Sequence, residues 1–297
     1  MSPSIRPLHD LFAGEVSGID LRDPLGAEDV AAIEAGMDRH AVLVLHDQQL
    51  TDEQQVAFSR NFGEIELAVG GDVSRLDRRR LSVELADVSN LNEGNKVYAR
   101  DDRRYLFGLA NQLWHSDSSF RAIPAKYSLL SARAVPHKGG NTEFADLRAA
   151  YDALDEEAKT EIEDLVCEHS LLHSRSILGF TEFSDEERAT FKPVYQRLVR
   201  THPVTGRKSL YLSSHAGTIV GWEMPEARSL LRELTEHATQ PRYVHAHVWR
   251  QHDLVMWDNR QVMHRVRRFR NTGEARDVRR TTIQGEGPTV TPEQIPA

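Results

Sequence analysis

The sequence predicts a mainly β protein with inserted helices, closed into a double-sheet jelly roll. Three observations support that class. From Asn111 onward, segments of strand length outnumber helical ones. The helices of that half fall between strands as insertions. No internal repeat and no low-complexity linker divides the 297 residues, so one domain over 1–297 is expected.

In the first 25 residues, prolines interrupt the chain and only 14–21 reads as a strand. Residues 27–40 carry Val30, Ile33, Ala35 and Met37 at helical spacing. Ala41-Val42-Leu43-Val44-Leu45 is a continuous apolar run of strand length, the pattern of a strand covered on both faces. Thr51 followed by Gln54 is a capping box, and the helix it opens runs through Val56, Phe58 and Phe62 to Gly63. Residues 64–110 show little period beyond a short strand at 85–89, and contain Gly70-Gly71 and Arg78-Arg79-Arg80. An irregular stretch of that length fits a lid over a site.

Beyond Asn111, residues 126–133 read as a strand ended by Pro136 and Gly139-Gly140, with a short strand at 141–144. Helices follow at 146–154 and 155–166, the second with acidic residues in its first turn, where they suit the helix dipole. Residues 167–200 are mixed and read as a second irregular insertion, also a lid. Thr205-Gly206 joins strands at 198–202 and 209–213 into a hairpin. Pro225 opens a helix over 226–239, and strands follow at 242–249, 254–257 and 276–283.

Composition narrows the function classes. With 39% hydrophobic and 28% charged residues, the chain reads as an ordinary globular protein. No apolar run approaches a membrane span, and 1–10 shows no secretory signal. A single cysteine, Cys167, excludes an intrachain disulfide and fits a reducing cytoplasm; it reads as a buried small residue. The net charge of −8 argues against general nucleic-acid binding. No membrane partner is expected either, and a homo-oligomer is the expected assembly. Locally the balance reverses: eight arginines stand between Arg260 and Arg280 against Glu274 and Asp277. They either form a solvated face or receive small anions. With fourteen histidines and one cysteine, any metal site must use nitrogen and oxygen ligands.

The motif that organises the second half is Asn111-Gln112-Leu113-Trp114-His115-Ser116-Asp117-Ser118-Ser119-Phe120. On an extended chain His115 and Asp117 point to one side. A catalytic metal needs a third ligand, and His264 is the candidate. Two histidines and a carboxylate on one face, with open positions opposite, suit non-haem Fe(II) oxygenases. Arg276 and Arg280 share a strand face and can grip two separate carboxylates, since the guanidinium fork binds a carboxylate bidentately. Among the remaining histidines, His169 and His173 suit surface or capping roles. His245 and His247 line a cavity or face water, and His202 and His215 flank the hairpin as weaker pocket candidates. Trp114 and Trp257, beside the ligand segments, read as core.

These residues resemble the pattern of the taurine dioxygenase family of Fe(II)- and 2-oxoglutarate-dependent oxygenases. That pattern is Trp-His-x-Asp, a threonine about 27 residues on, and a distal histidine followed by two arginines. Here it is Trp114-His115-Ser116-Asp117, Thr142, His264, Arg276 and Arg280. Segments such as Arg148-Ala149-Ala150-Tyr151-Asp152-Ala153-Leu154 and Asp253-Leu254-Val255-Met256-Trp257-Asp258-Asn259-Arg260 extend the likeness over nearly the whole chain. They resemble most the family members that act on 2,4-dichlorophenoxyacetate.

The resemblance implies a double-stranded β-helix of the cupin-like kind. It implies Fe(II) on His115, Asp117 and His264, with 2-oxoglutarate and O2 as co-substrates. Thr142 and Arg276 would hold the distal carboxylate of 2-oxoglutarate. Arg280 would bind a small anionic organic substrate, with Asn111 and Lys96 nearby. The implied reaction hydroxylates the carbon next to the carboxylate of an aryloxyacetate, giving a phenol and glyoxylate together with succinate and CO2. Two departures stand out. The interval from His264 to the arginines is one residue longer, around Asn271-Thr272-Gly273, and 67–73 offers Gly70-Gly71-Asp72 where a lysine is usual. The alternatives are the same chemistry on taurine, an alkyl sulfonate or another small carboxylate; a non-enzymatic jelly roll binding metal and carboxylate; and a hydrolytic zinc enzyme.

Overall fold

The apolar run after Ala41 forms strand β3 (Val42–Leu45), with all four residues buried. Its alternate residues enter different cores, which is why no polar position interrupts it. Val42 and Val44 pack with Leu130, Phe144, Val255 and Trp257. Leu43 and Leu45 pack with Ile33, Met37, Phe58 and Phe62. The computed structural model describes residues 3–68, 79–269 and 273–295. Gly70-Gly71-Asp72, Arg78 and the Asn271-Thr272 part of the longer interval lie outside these.

Among the described residues, seven strands make the main sheet. In spatial order they are β1 (Ser4–Pro7), β2 (Gly14–Ser17), β3, β13 (Leu254–Asp258), β5 (Ala125–Ala134), β15 (Asp277–Gln284) and β4 (Ala86–Asp87). β2 runs parallel to β3 and the other pairs are antiparallel. Helices α1 (Ala27–His40) and α2 (Asp52–Ser59) cover the outer face. The capping box of α2 forms as expected, with Thr51 Oγ1 accepting from the Gln54 amide and Gln54 Oε1 from the Thr51 amide. The chain then leaves at Gly63, whose φ of +135° disfavours a side chain.

A second sheet faces the first: β12 (Val244–His247), β6 (Thr142–Asp146) and β14 (Val262–Val266). Phe144 on β6 meets Trp257 on β13 across the gap, ring centroids 5.5 Å apart, so the two sheets share one core. α4 (Leu147–Asp152) and α8 (Met224–Ala238) close the outer face of this sheet through Ala150, Leu231 and Leu234. Two packed antiparallel layers make the jelly roll expected from the strand pattern.

The segment 167–200 is more ordered than its sequence suggests. β7 (Val166–His169) lies between β8 (Val194–Arg197) and β11 (Ala216–Ile219), with α6 (Leu171–Ser176) and α7 (Asp185–Thr190) inserted. β7 also begins where helix was expected; α5 (Glu156–Ile162) stops earlier. β9 (Val199–Thr201) and β10 (Lys208–Leu210) form the expected hairpin. Apart from α3 (Arg103–Gly108) and β4, residues 79–110 are largely irregular. Among the described residues, no helix is long and apolar enough to cross a membrane.

Candidate active site

His115 and His264 meet through the backbone before their rings do anything. Each amide donates to the other's carbonyl, at 3.0 and 2.8 Å, forming an isolated antiparallel bridge beside β14. The bridge sets the imidazoles side by side, with ring centroids 4.2 Å apart. Asp117, two residues on, completes the group, and Ser118 turns the chain away with φ +53°. Candidate ligand atoms of the three buried residues lie within 4.8 Å of one another. Asp117 oxygens stand 3.9 Å from His115 Nε2 and 3.8 Å from His264 Nε2. Those gaps are too long for hydrogen bonds. They leave the three ligand atoms close enough together to hold one ion between them.

Surrounding groups fix the ligand atoms. His115 Nδ1 lies 2.8 Å from the Leu113 carbonyl, which can only accept, so Nδ1 carries the proton and Nε2 keeps its lone pair. His264 is held by packing, with Trp257 at 4.6 Å and Phe144 at 6.0 Å between centroids. Burial lowers the pKa of both imidazoles, which keeps them neutral and ready to ligate. At Asp117 burial acts to raise the pKa, but the Arg280 guanidinium beside it outweighs this and holds the carboxyl at about 2.

Asp117 is also braced from the main sheet by residues that sequence reasoning missed. Ser128 Oγ on β5 donates to its Oδ2 at 2.7 Å, and Asn259 Nδ2 donates to Ser128 Oγ at 2.9 Å. Asn259 Oδ1 accepts from the Asp117 amide and from Trp257 Nε1, both at 3.0 Å. The available signal was a serine on the inward face of β5, in line with the apolar Leu130 and Ala132.

The arginine run resolves residue by residue. Arg260 pairs with Asp258, Arg265 with Glu143, and Arg279 with Asp52 and Asp277. Arg280 Nη1 meets Asp117 Oδ1, while its Nε is buried without a partner among the described residues. Arg276 is 5% exposed and meets no carboxylate among the described residues. Its Nη1 donates to the Val88 carbonyl at 3.0 Å, and burial pulls its guanidinium down to about 10. Asn90 clamps the backbone on either side, accepting from the Arg276 amide at 2.8 Å and donating to its carbonyl at 3.1 Å. A buried arginine with no acid beside it is costly, and it fits a site that receives a carboxylate.

Both arginines line a cavity of about 970 Å³ together with His115 and Asp117. Asn111 lies on its wall. So does His215, a neutral, buried ring set edge-on to Phe120 at 4.8 Å. Residues 79–109 and 171–178 supply much of the remaining wall. Thr142 is buried just behind, its Oγ1 accepting from Trp249 Nε1 at 2.9 Å, so the hydroxyl proton is left to donate elsewhere. The neighbouring Gly140 lies against Arg276, where an added Cβ would sit in ordinary contact, 3.5 Å from Nε; its φ of +73° is what disfavours a side chain.

Not every expected residue gathers here. Lys96 is exposed at a tight turn, its amide bonded to the Asn92 side chain, and is not on the cavity wall. His202 is buried against Asp258 at 3.2 Å and serves packing. His247 lies 3.0 Å from Asp253, away from the cavity. His169 ends β7 and His173 sits in α6, so they are not a helical pair.

The family model for the taurine catabolism dioxygenase TauD, TfdA family matches residues 4–282. The alpha-ketoglutarate-dependent 2,4-dichlorophenoxyacetate dioxygenase of Cupriavidus pinatubonensis is 49% identical over 95% of this chain and 98% of its own. The (S)-phenoxypropionate/alpha-ketoglutarate-dioxygenase of Sphingobium herbicidovorans is 39% identical over 90% of each. Among solved structures, that of AAD-2 in complex with Mn(II) and N-oxalylglycine superposes with a TM-score of 0.95. It is 62% identical and covers 98% of this chain and 100% of that one. With His115, Asp117 and His264 gathered as the sequence pattern requires, the chain belongs to the taurine catabolism dioxygenase TauD, TfdA family.

Proposed function

We propose that the protein hydroxylates the carbon next to the carboxylate of an aryloxyacetate such as 2,4-dichlorophenoxyacetate, and so releases a phenol and glyoxylate. Its family makes it an oxidoreductase with Fe(II), 2-oxoglutarate and O2 as cofactor and co-substrates. The observation that carries the reading is one cavity holding His115 and Asp117 with a half-buried Arg280 and a buried Arg276, the latter without an acid partner among the described residues. The 49% identity to a 2,4-dichlorophenoxyacetate enzyme supports the substrate.

When bound, Fe(II) with 2-oxoglutarate and O2 supplies the oxidising power, one oxygen atom entering the substrate while 2-oxoglutarate becomes succinate and CO2. His115, Asp117 and His264 would hold the metal on one face. Arg276, with the Thr142 hydroxyl, would take the distal carboxylate of 2-oxoglutarate. Arg280 would fix the substrate carboxylate, with Asn111 on the wall beside it. Placement decides which carbon reacts, and a bidentate guanidinium restricts both distance and angle. Hydroxylation of the carbon between ether oxygen and carboxylate leaves a hemiacetal. Its C–O bond breaks as the hydroxyl proton is lost, giving the phenol and the aldehyde of glyoxylate.

Part of this reading concerns organisation. A single domain over 1–297, with parts of 64–110 and 167–200 as lids, is supported by β1 and β15 sharing one sheet and by the cavity wall those segments supply. The buried thiol Cys167 supports a cytoplasmic location. A homo-oligomeric state remains part of the proposal. The test is a panel of phenoxyacetate, (S)-phenoxypropionate, an alkyl sulfate and taurine, each with Fe(II) and 2-oxoglutarate. Phenol release from phenoxyacetate is expected to lead. Sulfite release from taurine with no phenol from any aryl ether would reject the substrate.

A further inference from the structure

Most charged groups around the cavity are neutralised within the protein. Arg80 pairs with Asp87 and Asp277, and Arg104 with Glu93 and Asp102. Arg276 is accounted for by 2-oxoglutarate. Arg79 spends its donors on the Ala68, Leu81, Ser82 and Leu85 carbonyls. A further guanidinium on the wall is that of the half-buried Arg175, on α6, within the segment expected to be irregular.

Arg175 Nη1 donates to the adjacent Ser174 Oγ at 2.9 Å, and its Nε is closed off from solvent without a partner among the described residues. Its guanidinium carbon lies 4.4 Å from the centroid of the Phe107 ring, a contact that orients the fork but does not neutralise it. No carboxylate among the described residues acts on it. Burial and then Arg280 lower its pKa to about 10. Arg280, the other unrelieved donor of this cavity, has one arm on Asp117 and an unpartnered Nε. The cavity therefore holds two like charges from separate elements, α6 and β15, each with an unused buried N–H. An anion between them would meet both donors and relieve their repulsion.

We propose that Arg175 is the second arm of the acid-binding site, holding the substrate carboxylate jointly with Arg280 and selecting anionic over neutral substrates. The proposal rests on the aryloxyacetate reading above. It also gives α6 a purpose: the segment that covers the cavity carries a charge that only the correct substrate neutralises.

Binding to an inert complex provides the test, because no turnover is needed. Protein loaded with Mn(II) and N-oxalylglycine is titrated calorimetrically with phenoxyacetate and with phenoxyethanol, its neutral counterpart. In Arg175→Gln the acid should weaken roughly ten- to a hundredfold, the loss of one charge-assisted bond pair, while the alcohol changes little. Arg175→Lys keeps the charge without the fork and should fall between. N-oxalylglycine affinity reports an intact fold and should not change in either variant. If both variants bind N-oxalylglycine normally and keep the wild-type preference for acid over alcohol, Arg175 merely packs on Phe107 and the proposal fails. If Arg175→Gln loses N-oxalylglycine binding, Arg175→Lys decides alone: an unchanged preference overturns the proposal and a reduced one supports it. Wild-type protein that binds neither compound would reject the aryloxyacetate reading instead. The comparison is then made with acetate, whose binding must also weaken in Arg175→Gln for the proposal to stand.

Discussion

Replacing Arg276 with methionine separates a ligand-binding role from a structural one, because the two predict opposite changes. Arg276 is buried, meets no acid among the described residues, and has a guanidinium drawn down to about 10. Against an ordinary value of about 12.5, and at about 1.4 kcal/mol per pH unit, keeping that charge inside the protein costs about 3 kcal/mol. Methionine removes this cost. It also leaves the Val88 carbonyl without its donor, a loss of about 1–2 kcal/mol. The ligand-free variant should therefore be about 1–2 kcal/mol more stable, with a melting temperature higher by a few degrees. Affinity for 2-oxoglutarate moves the other way. Loss of an arginine–carboxylate pair of about 2–4 kcal/mol should raise its dissociation constant roughly a hundredfold. Thermal melting of the ligand-free protein and calorimetric titration of the Mn(II)-loaded protein with 2-oxoglutarate read both quantities. A variant that melts several degrees lower yet binds 2-oxoglutarate normally would refute the binding role and make Arg276 a structural cation.

Three further outcomes are expected. Ser128→Ala and Asn259→Ala should each weaken metal binding about 10- to 100-fold, since both orient Asp117 without ligating; calorimetry with Mn(II) showing no change in either would remove that role. Arg280→Lys should impair substrate use more than 2-oxoglutarate affinity, and the reverse pattern would mean that the two arginines exchange tasks. At Asp277 burial acts to raise the pKa, but the hydrogen bonds from Arg80 and Arg279 outweigh it and hold the carboxyl at about 2. Its folded value lies below the unfolded one, so this stabilisation is complete above about pH 4 and disappears as pH falls toward 2, a loss of about 2 kcal/mol. The gap in urea midpoints between wild type and Asp277→Asn should narrow by roughly half from pH 6 to pH 3; an equal gap at both would contradict the ion pair's contribution.

Much of the fold was legible where one local pattern had one physical meaning. The run through Val42 and Leu45 shows no alternation because helices cover one face and the second sheet the other. Thr51 and Gln54 announced their helix because the cap is a contact between residues three apart. The order within 167–200 was hidden, since β7 is a strand only by pairing with β8 and β11, and short segments take their structure from such partners. The metal triad was legible because His115 and Asp117 lie two residues apart and the resembled family pattern picked His264 out of fourteen histidines. The bracing by Ser128 and Asn259 was not, because it joins residues 131 apart in the chain. Lys96 shows the opposite failure: resemblance put it near the substrate, while the Asn92 turn leaves it exposed. The arginine run looked like one feature and became several: Arg260, Arg265 and Arg279 each pair with a different acid, while Arg276 meets none among the described residues.

The most direct measurement is the product balance in a single aerobic sample of protein, Fe(II), 2-oxoglutarate and phenoxyacetate. Succinate, phenol and glyoxylate should accumulate in equal amounts, with none formed when O2 is removed. Phenol formed without 2-oxoglutarate, or succinate formed while phenoxyacetate stays intact, would contradict the assignment of this cavity to the coupled oxidation of an aryloxyacetate.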